Sequence, residues 1–115
     1  MKKMMAYQKE FDKQHGWNWS ESKDGQEKLR FLQYGVIAIT GEIGELANNL
    51  KKMMREHSSL GKLPESEDYE KMREEIIDSW HYLINLSMAA GMNADDVFVI
   101  FLQKHLKNRK RSLNQ

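Results

Sequence analysis

The chain has 115 residues, 40% hydrophobic and 30% charged, with a formal net charge of +1 and no cysteine. This length predicts a single domain over residues 1–115, and the balanced charge gives no reason to expect nucleic-acid binding. The absence of cysteine excludes disulfides, thiolate zinc sites and cysteine nucleophiles, and it agrees with a reducing compartment.

Few glycines and one proline predict an all-α protein of the four-helix-bundle type. The first helix is expected over about 3–14. Polar residues soon follow its basic start, so a signal peptide is not expected and we predict a cytoplasmic protein. The loop after Gly16 holds Trp17 and Trp19, for which core packing and stacking on a nucleotide base both remain open.

The second helix is predicted over about 26–56 and contains an apolar stretch, 31–50, whose only charges are Glu42 and Glu45. Residues three apart on a helix share a face, and Asn49 continues the same face. The stretch has polar groups in its middle, so it does not predict a membrane span. It predicts a helix that is buried on most of its circumference.

The third helix is predicted over about 66–90, after loop signals at 57–64. Its apolar stretch, 76–92, holds only Asp78 as a charge, and Glu75 lies one turn earlier on the same face, which Tyr82 and Asn85 continue. Two long helices joined by a short loop pack antiparallel. We therefore expect the two acidic faces to meet.

The fourth helix is predicted from the residue after Asn93 to about Leu113, because Asn93 with Asp96 three residues later is a typical N-terminal cap. Lys104, Asn108 and Arg111 follow at i, i+4 and i+7 and form one stripe. An amide between two cations is well suited to holding phosphate oxygens.

Four carboxylates in a partly dry cleft repel one another and lose hydration, so some would take up protons unless a cation joined them. An all-oxygen ligand set favours Mg²⁺, with Mn²⁺ as a substitute. The sequence therefore predicts a divalent-cation site made by Glu42, Glu45, Glu75 and Asp78.

Simpler interpretations exist for each motif. A lone Glu-x-x-Glu pair is usually a solvated helix face, and a basic helix C-terminus commonly compensates the helix dipole. Glu74 fits a solvated neighbour of the acidic face. His81 fits a structural histidine, because a di-iron bundle needs a second acid-x-x-His motif that this sequence lacks.

Taken together, these residues resemble the all-α nucleoside triphosphate pyrophosphohydrolases, the MazG-like and dimeric-dUTPase superfamily. Its signature is Glu-x-x-Glu on one helix and Glu-x-x-Asp on the next, which the four acids match. The runs 44–48 and 78–82 resemble the dUTPase branch, as does Lys104-x-x-x-Asn108-x-x-Arg111. The resemblance extends over about 31–111.

The resemblance implies Mg²⁺-dependent hydrolysis of a nucleoside triphosphate to the monophosphate and pyrophosphate, as a clean-up of the nucleotide pool. It implies that the four acids hold the metal, that Glu42 also orients or deprotonates the attacking water, and that the basic stripe holds phosphates. It also implies homodimers or homotetramers with shared active sites. Facing the sugar or base we expect Asn49, Tyr82 and Asn85.

Several alternatives stay open at this point. The substrate could be dUTP, dCTP or a non-canonical deoxynucleotide, and the number of metal ions is not defined. Phosphoribosyl-ATP pyrophosphohydrolase shares the same chemistry. A helical oligomerisation module without catalytic activity is the alternative from a different class.

Overall fold

The computed structural model describes residues 1–16 and 24–114, which form four α-helices and contain no strand. The helices are α1 (Lys2–Gln14), α2 (Gly25–Leu60), α3 (Ser66–Ala89) and α4 (Ala94–Leu113). The all-α prediction is confirmed, and most helix ends agree closely with it. The exception is α2, which was expected to end near residue 56 and instead continues through His57 to Leu60. Gly61 ends it, because φ there is 65°, a left-handed conformation that favours glycine.

Side-chain caps define the starts of α2 and α4. At α2, the backbone N–H of Gln26 donates to Asp24 Oδ1 over 2.9 Å. At α4, Asn93 and Asp96 form the reciprocal pair that their spacing predicted, with N···O distances of 2.8 and 2.9 Å. These caps satisfy backbone donors that a helix start would otherwise leave unpaired.

The most extensive packing in the described part of the chain is between α2 and α3. Their connection contains only residues 61–65, so the two long helices run antiparallel as expected. This hairpin positions the predicted site, because both acidic pairs lie on it.

A small hydrophobic cluster joins the other two helices to α3. Met5 of α1 packs against Ile84 and Met88 of α3, and Ala94 and Val97 at the start of α4 pack against this cluster. Beyond this point α4 is exposed along its length. The cluster fixes α1 across α3 and, in the described part of the chain, holds the first turn of α4.

The molecule is flat and open rather than closed. Its radius of gyration is 17.9 Å and its extents are 54 × 45 × 26 Å, whereas a compact domain of this length would have a radius near ~13 Å. The prediction that the apolar stretches are buried on most of their circumference is wrong for a single chain. Ile37 is 65% exposed and Ile77 is 53% exposed, because α2 and α3 cover each other on one side only.

The turn between α3 and α4 directs α4 away from the hairpin. The two helices are bent by 99° relative to each other, and Gly91 in the turn has φ 86°, a conformation that favours glycine. Within the described ranges no single helix is long and apolar enough to cross a membrane; by length and composition, only α3 and α4 taken together reach that threshold.

Candidate functional site

Glu42, Glu45, Glu75 and Asp78, called here the acidic cluster, lie along the α2–α3 hairpin. Glu75 is buried, Glu42 is half-buried, and Glu45 and Asp78 are exposed. Burial follows position in the hairpin, since Glu75 lies on the side of α3 that α2 covers. The cluster is therefore accessible to solvent at Glu45 and Asp78 and buried between the helices at Glu75.

The electrostatics of Glu42 show that acids from both helices come together. The pKa of the Glu42 carboxyl is raised above its ordinary value of 4.5 by desolvation and then by the negative charges of three neighbours, which are Glu45, Asp78 and Glu75. Two of these neighbours belong to the other helix. The contact between the two faces that the structure shows directly is the hydrogen bond from Asn49 of α2 to Glu75 of α3, and a shared metal site of the four acids stays a prediction.

Glu75 is the most constrained member of the cluster. Asn49 Nδ2 on α2 donates a 2.6 Å hydrogen bond to Glu75 Oε1. The other oxygen, Oε2, is buried and has no hydrogen-bond partner in the described structure. A buried carboxylate oxygen without a partner is costly, so this atom is suited to a cation or a donor supplied by a ligand.

These residues fit a hard divalent cation by their chemistry. All four side chains offer carboxylate oxygens, and one of these oxygens, Glu75 Oε2, is buried without a hydrogen-bond partner in the described residues. A cation would also relieve the repulsion between the carboxylates that raises the pKa of Glu42. As the side chains stand, no three Asp, Glu, His or Cys residues within 1–16 and 24–114 form a metal-binding group. Side-chain rotation at the exposed members, Glu45 and Asp78, would be part of cation binding.

A cavity of about 1350 Å³ opens between α1, α2 and α3 beside the acidic cluster. Glu42 and Asp78 lie at its edge, and aromatic side chains line much of the rest. Ligand sites are commonly such clefts, with apolar walls and a few polar groups. The aromatic lining residues are Tyr7, Phe11, Tyr34, Trp80 and Tyr82.

A buried polar network forms part of the cavity wall where α1 crosses α3. Gln8 Nε2 donates to Asp12 Oδ1 over 2.9 Å, and Gln8 Oε1 lies 2.8 Å from His81 Nδ1. Asn85, 4% exposed, is also a hydrogen-bond partner of Asp12, and its Oδ1 has no partner in the described residues. His81 therefore has the structural contact expected of it.

Sequence reasoning missed Gln8 and Asp12. The available signal was that Met5, Gln8 and Asp12 recur at i, i+3 and i+7, so the inward stripe of α1 changes from apolar to polar.

The model of a protein family described as dUTPase matches the chain over residues 1–115. The chain belongs to this dUTPase family. No curated protein and no solved structure matches the chain. Membership agrees with the helical fold and with the resemblance carried by the acidic cluster, and it indicates a nucleotide-hydrolysing protein with a nucleotide as its substrate.

The residues predicted to face the sugar or base of this dUTPase family member divide between two pockets. Tyr82 and Asn85 line the large cavity. The pKa of the Tyr82 hydroxyl is raised by desolvation and then by Tyr34, Glu42 and Asp78, and both acids line the same cavity as Tyr82. Asn49 instead lines a separate pocket of about 230 Å³ together with Glu75. Its observed contact is therefore with an acid of the cluster.

The basic stripe is not brought to the acidic cluster by the fold of the chain that carries it. Lys104, Asn108 and Arg111 are all exposed, on the part of α4 that lies beyond Val97. None of the charges that shift the pKa of Glu42 comes from α4. Trp17 and Trp19, for which base stacking was considered, lie outside the described residues.

Proposed function

We propose that this protein hydrolyses a deoxynucleoside triphosphate between the α- and β-phosphates, with dUTP as the first candidate, and releases the monophosphate and pyrophosphate. The observation that carries the proposal is that two acids of the acidic cluster, Glu42 and Asp78, line an aromatic-lined cavity large enough for a nucleotide. The family match supports the choice of a nucleotide, and its description supports dUTP.

The cavity would hold the nucleoside and the cluster would lie next to the triphosphate. Aromatic rings such as Tyr7, Phe11 and Trp80 give the base and sugar an apolar surface. Asn85 offers a buried acceptor to the base, and Tyr82 lines the same cavity together with Glu42 and Asp78. In this proposal the base lies near Asn85 and the phosphates lie near Glu42 and Asp78.

Glu75, Glu45, Asp78 and Glu42 would hold Mg²⁺ or Mn²⁺. When bound, such a cation neutralises triphosphate charge and makes a bound water more acidic. Asn49 holds one oxygen of Glu75 and leaves the other available for ligation. Glu42 has a raised pKa, so its carboxylate is a better proton acceptor than an ordinary glutamate, and we assign it the orientation or deprotonation of the attacking water.

We further propose that the active unit is a homodimer or homotetramer in which α4 of one subunit serves the acidic cluster of another. Large apolar side chains on α2, α3 and α4 are exposed in the single chain, beyond what a soluble monomer usually shows. They include Ile37 (65% exposed), Trp80 (41%) and Phe101 (66%). Association would bury them and could bring Lys104, Asn108 and Arg111 to a neighbour's phosphates.

The decisive experiment is incubation of the purified chain with Mg²⁺ and each of a panel of nucleotides, including dUTP, dCTP and phosphoribosyl-ATP. We expect nucleoside monophosphate and pyrophosphate in equal amounts, fastest from dUTP. Glu75→Gln keeps the acceptor for Asn49 but removes the charge, and we expect it to lose activity by about a hundred-fold or more. Glu74→Gln makes the same change at the exposed neighbour and should retain activity.

A non-catalytic oligomerisation module is the second candidate, because the acids do not form a ready metal-binding group in the described chain and large apolar faces are exposed. It predicts assembly in solution, no product from any nucleotide, and identical behaviour of the Glu75→Gln and Glu74→Gln proteins. Turnover that only Glu75→Gln abolishes would exclude it.

A further inference from the structure

The orientation of the Gln8 side-chain amide follows from its two partners. One end lies 2.9 Å from Asp12 Oδ1 and the other lies 2.8 Å from His81 Nδ1. An ionised carboxylate can only accept hydrogen bonds, so the NH₂ group of Gln8 must face Asp12. The Gln8 oxygen then faces His81, whose Nδ1 carries the proton.

The same constraint applies to Asn85 on α3. Its side chain is 4% exposed and is a hydrogen-bond partner of the Asp12 carboxyl, which fixes its NH₂ group toward Asp12. Its Oδ1 is then left as a pure acceptor, buried and without a partner in the part of the chain that the structure describes. Asn85 also lines the aromatic cavity. A ligand that supplies an N–H to this oxygen would satisfy it.

We propose that Asp12 is a positioning residue for base recognition: its carboxylate holds the amides of Gln8 and Asn85 so that Asn85 Oδ1 accepts a hydrogen bond from a ring N–H of the nucleobase. The inference rests on the proposed function in that the cavity holds a nucleotide. Uracil carries such a donor at N3. Asp12 itself does not touch the base and acts through the two amides.

The Asp12→Asn variant tests the mechanism because it changes the hydrogen-bonding pattern without changing the shape. The introduced amide has one oxygen and one NH₂ group, so it can no longer accept from both neighbouring amides, and one of them must turn. If Asn85 turns, the cavity presents an NH₂ group in place of the acceptor. Asp95→Asn, at the exposed start of α4, makes the same chemical change at a residue that does not line the cavity.

The measurement is the affinity of the full chain for dUMP and for N3-methyl-dUMP by calorimetry. We expect the wild-type and Asp95→Asn proteins to bind dUMP about ten-fold more tightly than the methylated nucleotide, which lacks the donor. In Asp12→Asn the ratio should fall toward one. A steric effect of the methyl group would persist in Asp12→Asn, and a merely structural role for Asp12 would weaken both ligands equally. In dUTP hydrolysis, Asp12→Asn should raise KM and leave kcat nearly unchanged.

Equal affinity of the wild-type protein for the two nucleotides would overturn the proposal, as would a folded Asp12→Asn protein that keeps the full ratio. Should Asp12→Asn fail to fold, the side-chain NH₂ resonances of Gln8 and Asn85 in the wild-type protein decide: both must be protected from exchange. Binding needs no turnover, so an inactive protein that still discriminates contradicts only the proposed hydrolysis. An active one that does not discriminate contradicts only the role of Asp12.

Discussion

Asn49 Nδ2 on α2 and Glu75 Oε1 on α3 are joined by a 2.6 Å hydrogen bond between the two helices that carry the acidic cluster. The bond sets the register of the hairpin, because it places Asn49 opposite Glu75 and thereby Glu42, two turns earlier on α2, near Asp78 and Tyr82. It also satisfies one oxygen of a buried carboxylate. Asn49, which was predicted to face the sugar or base, thus holds the side chain of Glu75, a candidate metal ligand.

Asn49→Ala should destabilise the fold, because it leaves the buried Glu75 carboxylate without its donor. We expect the free energy of unfolding to fall by about 1–3 kcal/mol. Urea denaturation at one fixed protein concentration, with EDTA present, measures it. Asn48→Ala removes an exposed amide from the adjacent position and should stay within about 0.5 kcal/mol of the wild type. Equal stabilities of the two variants would contradict the assigned role of the bond.

Asp12 should make stability depend on pH. Burial raises the pKa of its carboxyl above the ordinary 3.8, against the opposite effects of Gln8, Asn85 and His15. The folded state therefore holds this proton more tightly than the unfolded state, so the contribution to stability is complete below about 3.8 and is lost as the pH rises through the folded-state pKa.

Asp12→Asn imitates the protonated form at every pH. The lost acceptor adds a pH-independent cost to the variant, so linkage fixes only the trend: we expect its stability relative to the wild-type protein to rise as the pH is raised from 4 to 7. Unfolding free energies measured at several pH values test this, with Asp95→Asn as the control for removal of one negative charge. A constant difference across the range would be the contrary result.

Two glycines should respond in opposite directions to alanine. Gly44 lies within α2 with nothing within 4 Å of the position of an added Cβ, so Gly44→Ala should stabilise the chain by about 1 kcal/mol through helix propensity. Gly91 has φ 86°, and Gly91→Ala should destabilise it by about 1 kcal/mol or more. Thermal melts compare the two. A destabilised Gly44→Ala protein would instead show that another chain approaches α2 there.

Mixing two inactive variants tests whether subunits share active sites. Glu75→Gln lacks a member of the acidic cluster and Arg111→Ala lacks a member of the basic stripe. If α4 serves a neighbouring subunit, a co-refolded equal mixture should regain about a quarter of wild-type activity in a dimer, because half the dimers are mixed and each has one intact site. The double variant Glu75→Gln/Arg111→Ala, refolded alone, is the control. No recovery while native mass spectrometry shows mixed dimers would place the stripe in its own subunit's site.

Local patterns predicted the helices and the meeting of the acids. Helix starts depend on short-range caps such as Asn93 with Asp96, and the i, i+3 spacing of Glu42 and Glu45 fixes a shared face whatever else the chain does. Antiparallel packing then follows from the short connection at 61–65. Local spacing and this short connection were therefore sufficient to predict that the four acids share one side of the hairpin.

The contacts of α1 were beyond prediction because no local rule determines which face of α3 it crosses. Gln8 and His81 are 73 residues apart, and neither residue type indicates the other. Burial patterns also cannot distinguish a surface covered by the same chain from one left for another chain. The apolar side of α2 at Ile37 was therefore expected to be inside, whereas this chain leaves it exposed.

Because α4 leaves the turn at Gly91 at a steep angle to α3, a small rotation at this turn displaces the far end of α4 by a large distance. Among the described residues, Ala94 and Val97 pack this helix against the hydrophobic cluster, and Arg111 lies about 26 Å along the axis from its first residue. A rotation of about 10° at the turn would move Arg111 by roughly 4–5 Å, more than the length of a hydrogen bond. The pivot alone does not place the guanidinium of Arg111 accurately, so its position depends on the surface that meets the far end of α4.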